Sequence, residues 1–229
     1  MDSDRNLEIN ISNLRFKYAD RYRRSSFELS IESFVPTGCT ALMGENGSGK
    51  TTLGKLVAGV LRPASGCVFY NGEDIASWKL GEIGRQVGYL FQEPSRQIFA
   101  PKPLEEIALP LELRGIPKEE ARKKAMALLK EFELESIIDN TTFTLSRGEK
   151  QRLAIASAMV MSPKYFVLDE PTTGLDKARR LILAETLKKM HENGMGILLI
   201  SHDREFVDML GADVRYMRGG RLLNDGECL

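Results

Sequence analysis

What the chain lacks narrows its function first. Its 32 Lys and Arg are matched by 32 Asp and Glu, so no net basic field draws it toward nucleic acid or an anionic membrane surface. Cysteine is scarce. Cys39, Cys67 and Cys228 form neither a CxxC nor a metal-ligand spacing, and an odd number cannot pair fully within one chain, which points to a reducing cytosol. No run of about 18 or more apolar residues occurs, and the opening MDSDRNLEIN lacks a basic segment followed by an apolar one. Work at a membrane would therefore need another subunit to span it. Internal repeats, low-complexity tracts and Pro-rich linkers are also missing, so the pieces of the chain read as subdomains of one unit.

What is there is an ordinary globular composition, 42% hydrophobic and 28% charged over 229 residues, enough for a sizeable core. Residues 7–34 alternate apolar and polar side chains and predict two strands around the turn DRYRRSS. CTALM, CVFYNG, VGYLFQ, YFVLDE, GILLIS and VRYMRG predict further short strands. Helical spacing marks LGKLVAGVL, the region from 103 to about 162, and residues 177–193 and 203–210. Within that region KEEARKKAMALLKEF sets Ala121, Ala125, Leu128, Leu129 and Phe132 on one face. Strands alternating with helices predict an α/β fold with a mainly parallel core sheet covered on both faces, into which the helix-rich middle is inserted.

Gly44, Glu45, Asn46, Gly47, Ser48, Gly49, Lys50 and Thr51 satisfy G-x-x-x-x-G-K-[ST] between a predicted strand and a predicted helix. In that context the glycines let successive N–H groups converge on phosphates. Lys50 reaches the β and γ oxygens, and the Thr51 hydroxyl can ligate Mg²⁺; Thr52 closes the segment. YFVLDE ends a buried strand in two carboxylates at a sheet edge where α/β proteins place ligands. Strand alternation would send Asp169 to the Mg²⁺ shell and Glu170 to an attacking water. His202 follows GILLIS at the same edge, before a helix that Asp203 could cap, and can reach a γ-phosphate or be structural. His191, in LKKMHEN, reads as structural. A second anion-facing helix start lies in LSRGEKQR, where Ser146, Gly148 and Glu149 precede an apolar run.

Together these residues resemble the ATP-binding subunits of ABC transporters. Residues 44–51 match the family's Walker A, Gln92 its Q-loop, LSRGE its signature, FVLDE its Walker B, TGLD its D-loop and His202 its switch histidine, in family order from about residue 11 to about 220. The resemblance implies a P-loop NTPase fold with an N-terminal antiparallel β-subdomain and an inserted helical subdomain. It makes 1–229 one ABC ATPase domain, with core and β-subdomain in 1–91 and 163–229 and the helical signature subdomain in 92–162. It further implies ATP and Mg²⁺ as cofactors and a head-to-tail dimer, homo- or heteromeric, in which Ser146 and Gly148 face the γ-phosphate held by the partner. Gln92 would sense Mg²⁺ and water, Asp176 would couple the two sites or cap the helix from Lys177, and Tyr18 would stack on adenine, with Tyr22 as competitor. The signature departs from L-S-G-G-Q at Arg147 and Glu149.

VGYLFQEPSRQIFAP is similar to the Q-loop region of energy-coupling factor (ECF) transporter ATPases, VGLVFQNPDNQLFAP, with Ser95 and Arg96 replacing the Asp-Asn pair; the chain also stops shortly after RGGRLLNDGECL, where many relatives continue. That branch implies an importer of vitamins or transition-metal ions. The ATPase would sit peripherally at the cytoplasmic face of the membrane on integral membrane subunits, without nucleic acid. Gln97, Ile98 and Phe99 would lie near the groove for a coupling helix or pack under the insertion. The competing reading is a soluble ABC ATPase acting on nucleic acid or ribosomes, or the ATPase of another ABC importer or exporter.

Overall fold

A computed structural model describes residues 7–18 and 27–223. The predicted turn DRYRRSS, with Tyr22, and Cys228 lie outside the described residues. In chain order the elements are β1 (Ile9–Phe16), β2 (Leu29–Phe34), β3 (Cys39–Met43), α1 (Lys50–Val57), β4 (Ser65–Tyr70), β5 (Glu73–Asp74), α2 (Leu80–Gln86), β6 (Val87–Leu90), α3 (Pro103–Leu113), α4 (Lys118–Glu131), α5 (Arg147–Met159), β7 (Tyr165–Asp169), α6 (Lys177–Glu192), β8 (Gly196–Ile200), α7 (Arg204–Leu210), β9 (Asp213–Arg218) and β10 (Arg221–Leu222).

Among the described residues the strands form two sheets. The larger has the order β10-β9-β3-β8-β7-β6, parallel except for the β9–β10 pair, and the smaller is antiparallel with the order β2-β1-β4-β5. Successive side chains of a strand face opposite ways. In β7, Tyr165 and Val167 therefore join one core while Phe166 and Leu168 join the other. The first core packs α1, through Leu53, Leu56 and Val57, between the two sheets, against Ile9, Ile11 and Leu29 on one side and Leu198 and Ile200 on the other. The second covers the opposite face with Leu183 and Leu187 of α6 and Phe206 of α7, and continues into α3, α4 and α5 through Ile107, Leu129 and Leu153. A sheet apolar on both faces must be covered on both, as the sequence predicts.

Pro110 helps join the helical insertion. It lacks the N–H that would bond the carbonyl of Glu106 one turn back, and Ser157 Oγ of α5 donates to that oxygen at 3.3 Å instead. On α4, Ala121, Ala125 and Leu129 are buried and Leu128 is partly so, and Phe132 at its C-cap is buried too, matching the predicted face. Among the described residues, no helix is long and apolar enough to cross a membrane.

Candidate functional site

At the carboxyl edge of the larger sheet, β3 hands the chain to the loop 44–49 and then to α1. Gly44 takes φ 138°, and a Cβ there would stand 2.2 Å from the Met217 carbonyl oxygen; Gly49 takes φ 108°. Only glycine fits both, so the backbone can curl against β9 and expose its N–H groups. The loop borders a cleft of about 430 Å³, lined by Tyr18, Asn46, Gly47, Gly49, Lys50, Thr51, Thr52, Gln92 and Glu170, with Phe27 and Ile200. Nine residues expected from sequence thus meet in one cleft. Lys50 Nζ donates to Gly44 O at 2.7 Å and Glu45 O at 2.8 Å, and burial pushes its ammonium below the ordinary range while Glu170 and Asp169 pull it back up.

Behind the cleft wall, Asp169 Oδ1 accepts from Thr51 Oγ1 at 3.0 Å and Oδ2 accepts from the Tyr89 hydroxyl at 3.2 Å. Burial pushes the Asp169 carboxyl above the usual range, and those two bonds act against the shift. Glu170 corrects one expectation. The strand ends at Asp169, and Glu170 leaves it in the left-handed region at φ 52°, so the two carboxylates diverge through a turn and not through strand alternation. Glu170 Oε2 lies 2.8 Å from His202 Nδ1, yet the alignment makes no hydrogen bond, and this oxygen is a buried acceptor without a donor. Such an atom is costly unless a bound molecule or water satisfies it.

Tyr18 stands edge-on to Phe16, with ring centroids 4.8 Å apart, and its hydroxyl lies 3.1 Å from Thr52 Oγ1, which leaves the half-exposed ring at the cleft mouth. His191 Nδ1 lies 2.9 Å from Met195 O, in keeping with a structural role.

Ser146, Gly148 and Asp176 do not line this cleft. Ser146 caps α5. Glu149 Oε2 accepts from Ser146 N at 2.8 Å and from Ser146 Oγ at 2.7 Å, so the chain's own carboxylate takes these two donors. The Ser146 hydroxyl and then its N–H hold the Glu149 carboxyl below its ordinary range. A Cβ on Gly148 would come within 3.0 Å of Gly174 O, and the Arg147 stem lies over Gly174. Asp176 caps α6, accepting from Arg179 N at 2.9 Å, and that bond lowers its pKa. Asp203 caps α7 through Phe206 N at 3.1 Å.

The segment 97–99 divides. Gln97 is tied back to the end of β6 through Tyr89 O and Phe91 N, Ile98 packs against the core, and Phe99 is 79% exposed beside a groove of about 370 Å³.

The metal donors present suit Mg²⁺: a hydroxyl on Thr51, a carboxylate on Asp169 and an amide on Gln92, all offering oxygen. Among the described residues, no group of three or more His, Cys, Asp and Glu could hold a metal by itself. Mg²⁺ is commonly held by one or two protein groups together with substrate phosphates, so this sparse set fits an ion that arrives with its nucleotide.

Sequence reasoning missed Tyr89, which reads as an ordinary strand residue in VGYLFQ. It also missed Glu106, 5% exposed, which accepts from Phe99 N at 2.8 Å and Ala100 N at 2.7 Å. An acid on the apolar face of PLEEIALPLEL was the available signal.

The sequence profile of the family described as "ABC transporter" matches residues 31–173, more than half of the chain. A Methanosarcina acetivorans protein named as an ABC transporter ATP-binding protein is 39% identical over 208 residues; the match covers 91% of this chain and 33% of that protein, so the chain spans about a third of that relative. The energy-coupling factor transporter ATP-binding protein EcfA1 of Halalkalibacterium halodurans is 37% identical over 86% of this chain and 71% of its own length. Among solved structures, cbiO1 from Clostridium perfringens, described as part of the ABC transporter complex cbiONQ, aligns with TM-score 0.75 and 31% identity over 94% of this chain and 86% of its own. The dimeric ATP-binding cassette MJ0796 bound to ADP and Pi aligns with TM-score 0.82 and 25% identity, covering 94% and 97%.

Proposed function

Because the chain belongs to the ABC transporter family, whose ATPase domains hydrolyse ATP, we propose that it is the motor subunit of a membrane transporter, an ECF-type importer of vitamins or transition-metal ions. The observation that carries the hydrolytic reading is Glu170, whose carboxylate stands beside His202 Nδ1 at the wall of the cleft that the glycine loop and Lys50 also line. In this reading the N–H groups of residues 47–51 and Lys50 Nζ bind the phosphates, and the Tyr18 ring stacks on adenine. Thr51, Asp169 and Gln92 hold Mg²⁺, which when bound neutralises charge on the phosphate oxygens. Glu170 orients the attacking water and takes up its proton at Oε2, while His202 beside it steadies the γ-phosphate.

The position of Ser146, Gly148 and Asp176 away from the chain's own cleft supports a shared site, in which the α5 start of one subunit closes over the nucleotide of the other. The dimeric MJ0796 cassette favours the same arrangement, and the likeness to EcfA1 and cbiO1 favours the ECF branch and a post at the cytoplasmic face of the membrane. Glu170→Gln tests the scheme. ATP hydrolysis should fall by about 10²-fold or more, and ATP should hold the variant as a dimer in light scattering. A variant that stays monomeric with ATP, or turns it over at the parental rate, would sink the reading.

A further inference from the structure

We propose that Tyr89 is a positioning residue for the metal-holding carboxylate of Asp169, and that Gln97 is the side chain that keeps Tyr89 in place. The proposal rests on the reading that Asp169 and Thr51 hold Mg²⁺. Among the described residues, β6 is the outer strand of its sheet, paired only with β7. Its free edge would leave Tyr89 O and Phe91 N without ladder partners, which is costly where water is limited. Gln97, just past a single helical turn at Pro94–Arg96, supplies both partners: Nε2 donates to Tyr89 O at 3.2 Å and Oε1 accepts from Phe91 N at 3.1 Å. One amide thus does at this point what a neighbouring strand would do.

From the strand so held, the buried Tyr89 ring packs edge-to-face on Phe91, with centroids 4.9 Å apart, and its hydroxyl donates to Asp169 Oδ2. The bond runs from the phenol to the carboxylate, because an ionised carboxylate oxygen can only accept. Thr51 Oγ1, on α1, meets the other oxygen. The carboxylate is therefore pinned from two elements and cannot swing about its Cβ–Cγ bond without losing a buried hydrogen bond. Outer partners of this kind orient metal ligands, and their loss typically lowers metal affinity by about 10-fold to 100-fold.

Binding of a non-hydrolysable ATP analogue, titrated calorimetrically in Mg²⁺ and again in EDTA, isolates the effect from turnover. Tyr89→Phe, which removes one oxygen and keeps the ring, should reduce the Mg²⁺-dependent gain in affinity by about 10-fold or more and leave the EDTA affinity at the parental value. Gln97→Met, which keeps the length and removes the amide, should reduce the gain in the same direction. An undiminished Mg²⁺ gain in Tyr89→Phe overturns the proposal. An equal loss in Mg²⁺ and in EDTA overturns it too, because that is the mark of a general packing defect. A parental protein that binds the analogue with no Mg²⁺-dependent gain removes the reading on which the proposal rests, and the proposal with it.

Discussion

At the start of α5, one carboxylate serves the fold and opposes the proposed task. Glu149 completes a capping box with Ser146, placing negative charge where the helix dipole favours it. The same charge stands where a partner's γ-phosphate would approach. Because the folded state lowers the Glu149 pKa, its contribution to stability is fully present above the ordinary glutamate value and is lost as pH falls through the folded value. Glu149→Gln should therefore lower Tm by about 1–4 °C at pH 7, and the gap should close on acidification below about pH 4. It should also lower the ATP concentration needed for dimerisation. A Tm gap that persists unchanged in acid would remove the charge argument. The capping spacing is legible in LSRGE because donor and acceptor are three residues apart. The Tyr89–Asp169 bond spans 80 positions, and nothing local in VGYLFQ marks the tyrosine as a partner of FVLDE.

Between elements, buried polar side chains fix how the helical insertion meets the sheet. Glu106 of α3 gathers Phe99 N, Ala100 N and, at 3.4 Å, Ser157 Oγ, while Thr142 Oγ1 donates to Ala100 O at 2.7 Å. Removing the carboxylate strands the buried Ala100 N–H and the part-buried Phe99 N–H. Glu106→Ala is expected to cost about 2–5 kcal/mol in urea unfolding, since each unsatisfied buried donor costs roughly 1–3 kcal/mol; Glu106→Gln, which keeps an acceptor oxygen, should recover part of that. Equal stability of the alanine variant and the parent would show that these bonds carry no net weight. Strands β1 to β4 and β6 to β9 were legible because they are long enough to show alternation or an apolar run. The two-residue strands β5 and β10 are too short to carry a period, and α2 (LGEIGRQ) hides behind two glycines that weaken a helical signal. Their form comes from tertiary pairing: β10 exists because Arg221 and Leu222 meet Arg218 and Met217 across a turn.

For the molecule as a whole, the cleft and the groove are different kinds of surface. The cleft is polar and built by the sheet edge, whereas the groove, lined by Phe99, Pro101, Ala108 and Leu109 with Glu112 and Arg122 among its polar residues, belongs to the insertion. Phe99 and Phe143 are 79% and 78% exposed, and Thr142 N, beside Phe143, donates to Pro101 O at 2.9 Å, which ties their two segments together. Apolar surface of this kind, rimmed by polar residues, can mark an interaction site where it is contiguous. The segment that carries Phe99 runs through Gln97 to β6 and so to the wall of the cleft, a short covalent path from the groove to Gln92. If the groove receives that subunit, Phe99→Ser should weaken co-purification with the membrane components by about 10-fold to 30-fold, the usual loss for a buried aromatic anchor. ATP-driven dimerisation should stay at the parental level, because Phe99 does not line the cleft. Unchanged recovery of membrane subunits would assign the docking face elsewhere, and a loss of dimerisation in the same variant would mean that the insertion and the cleft share one interface.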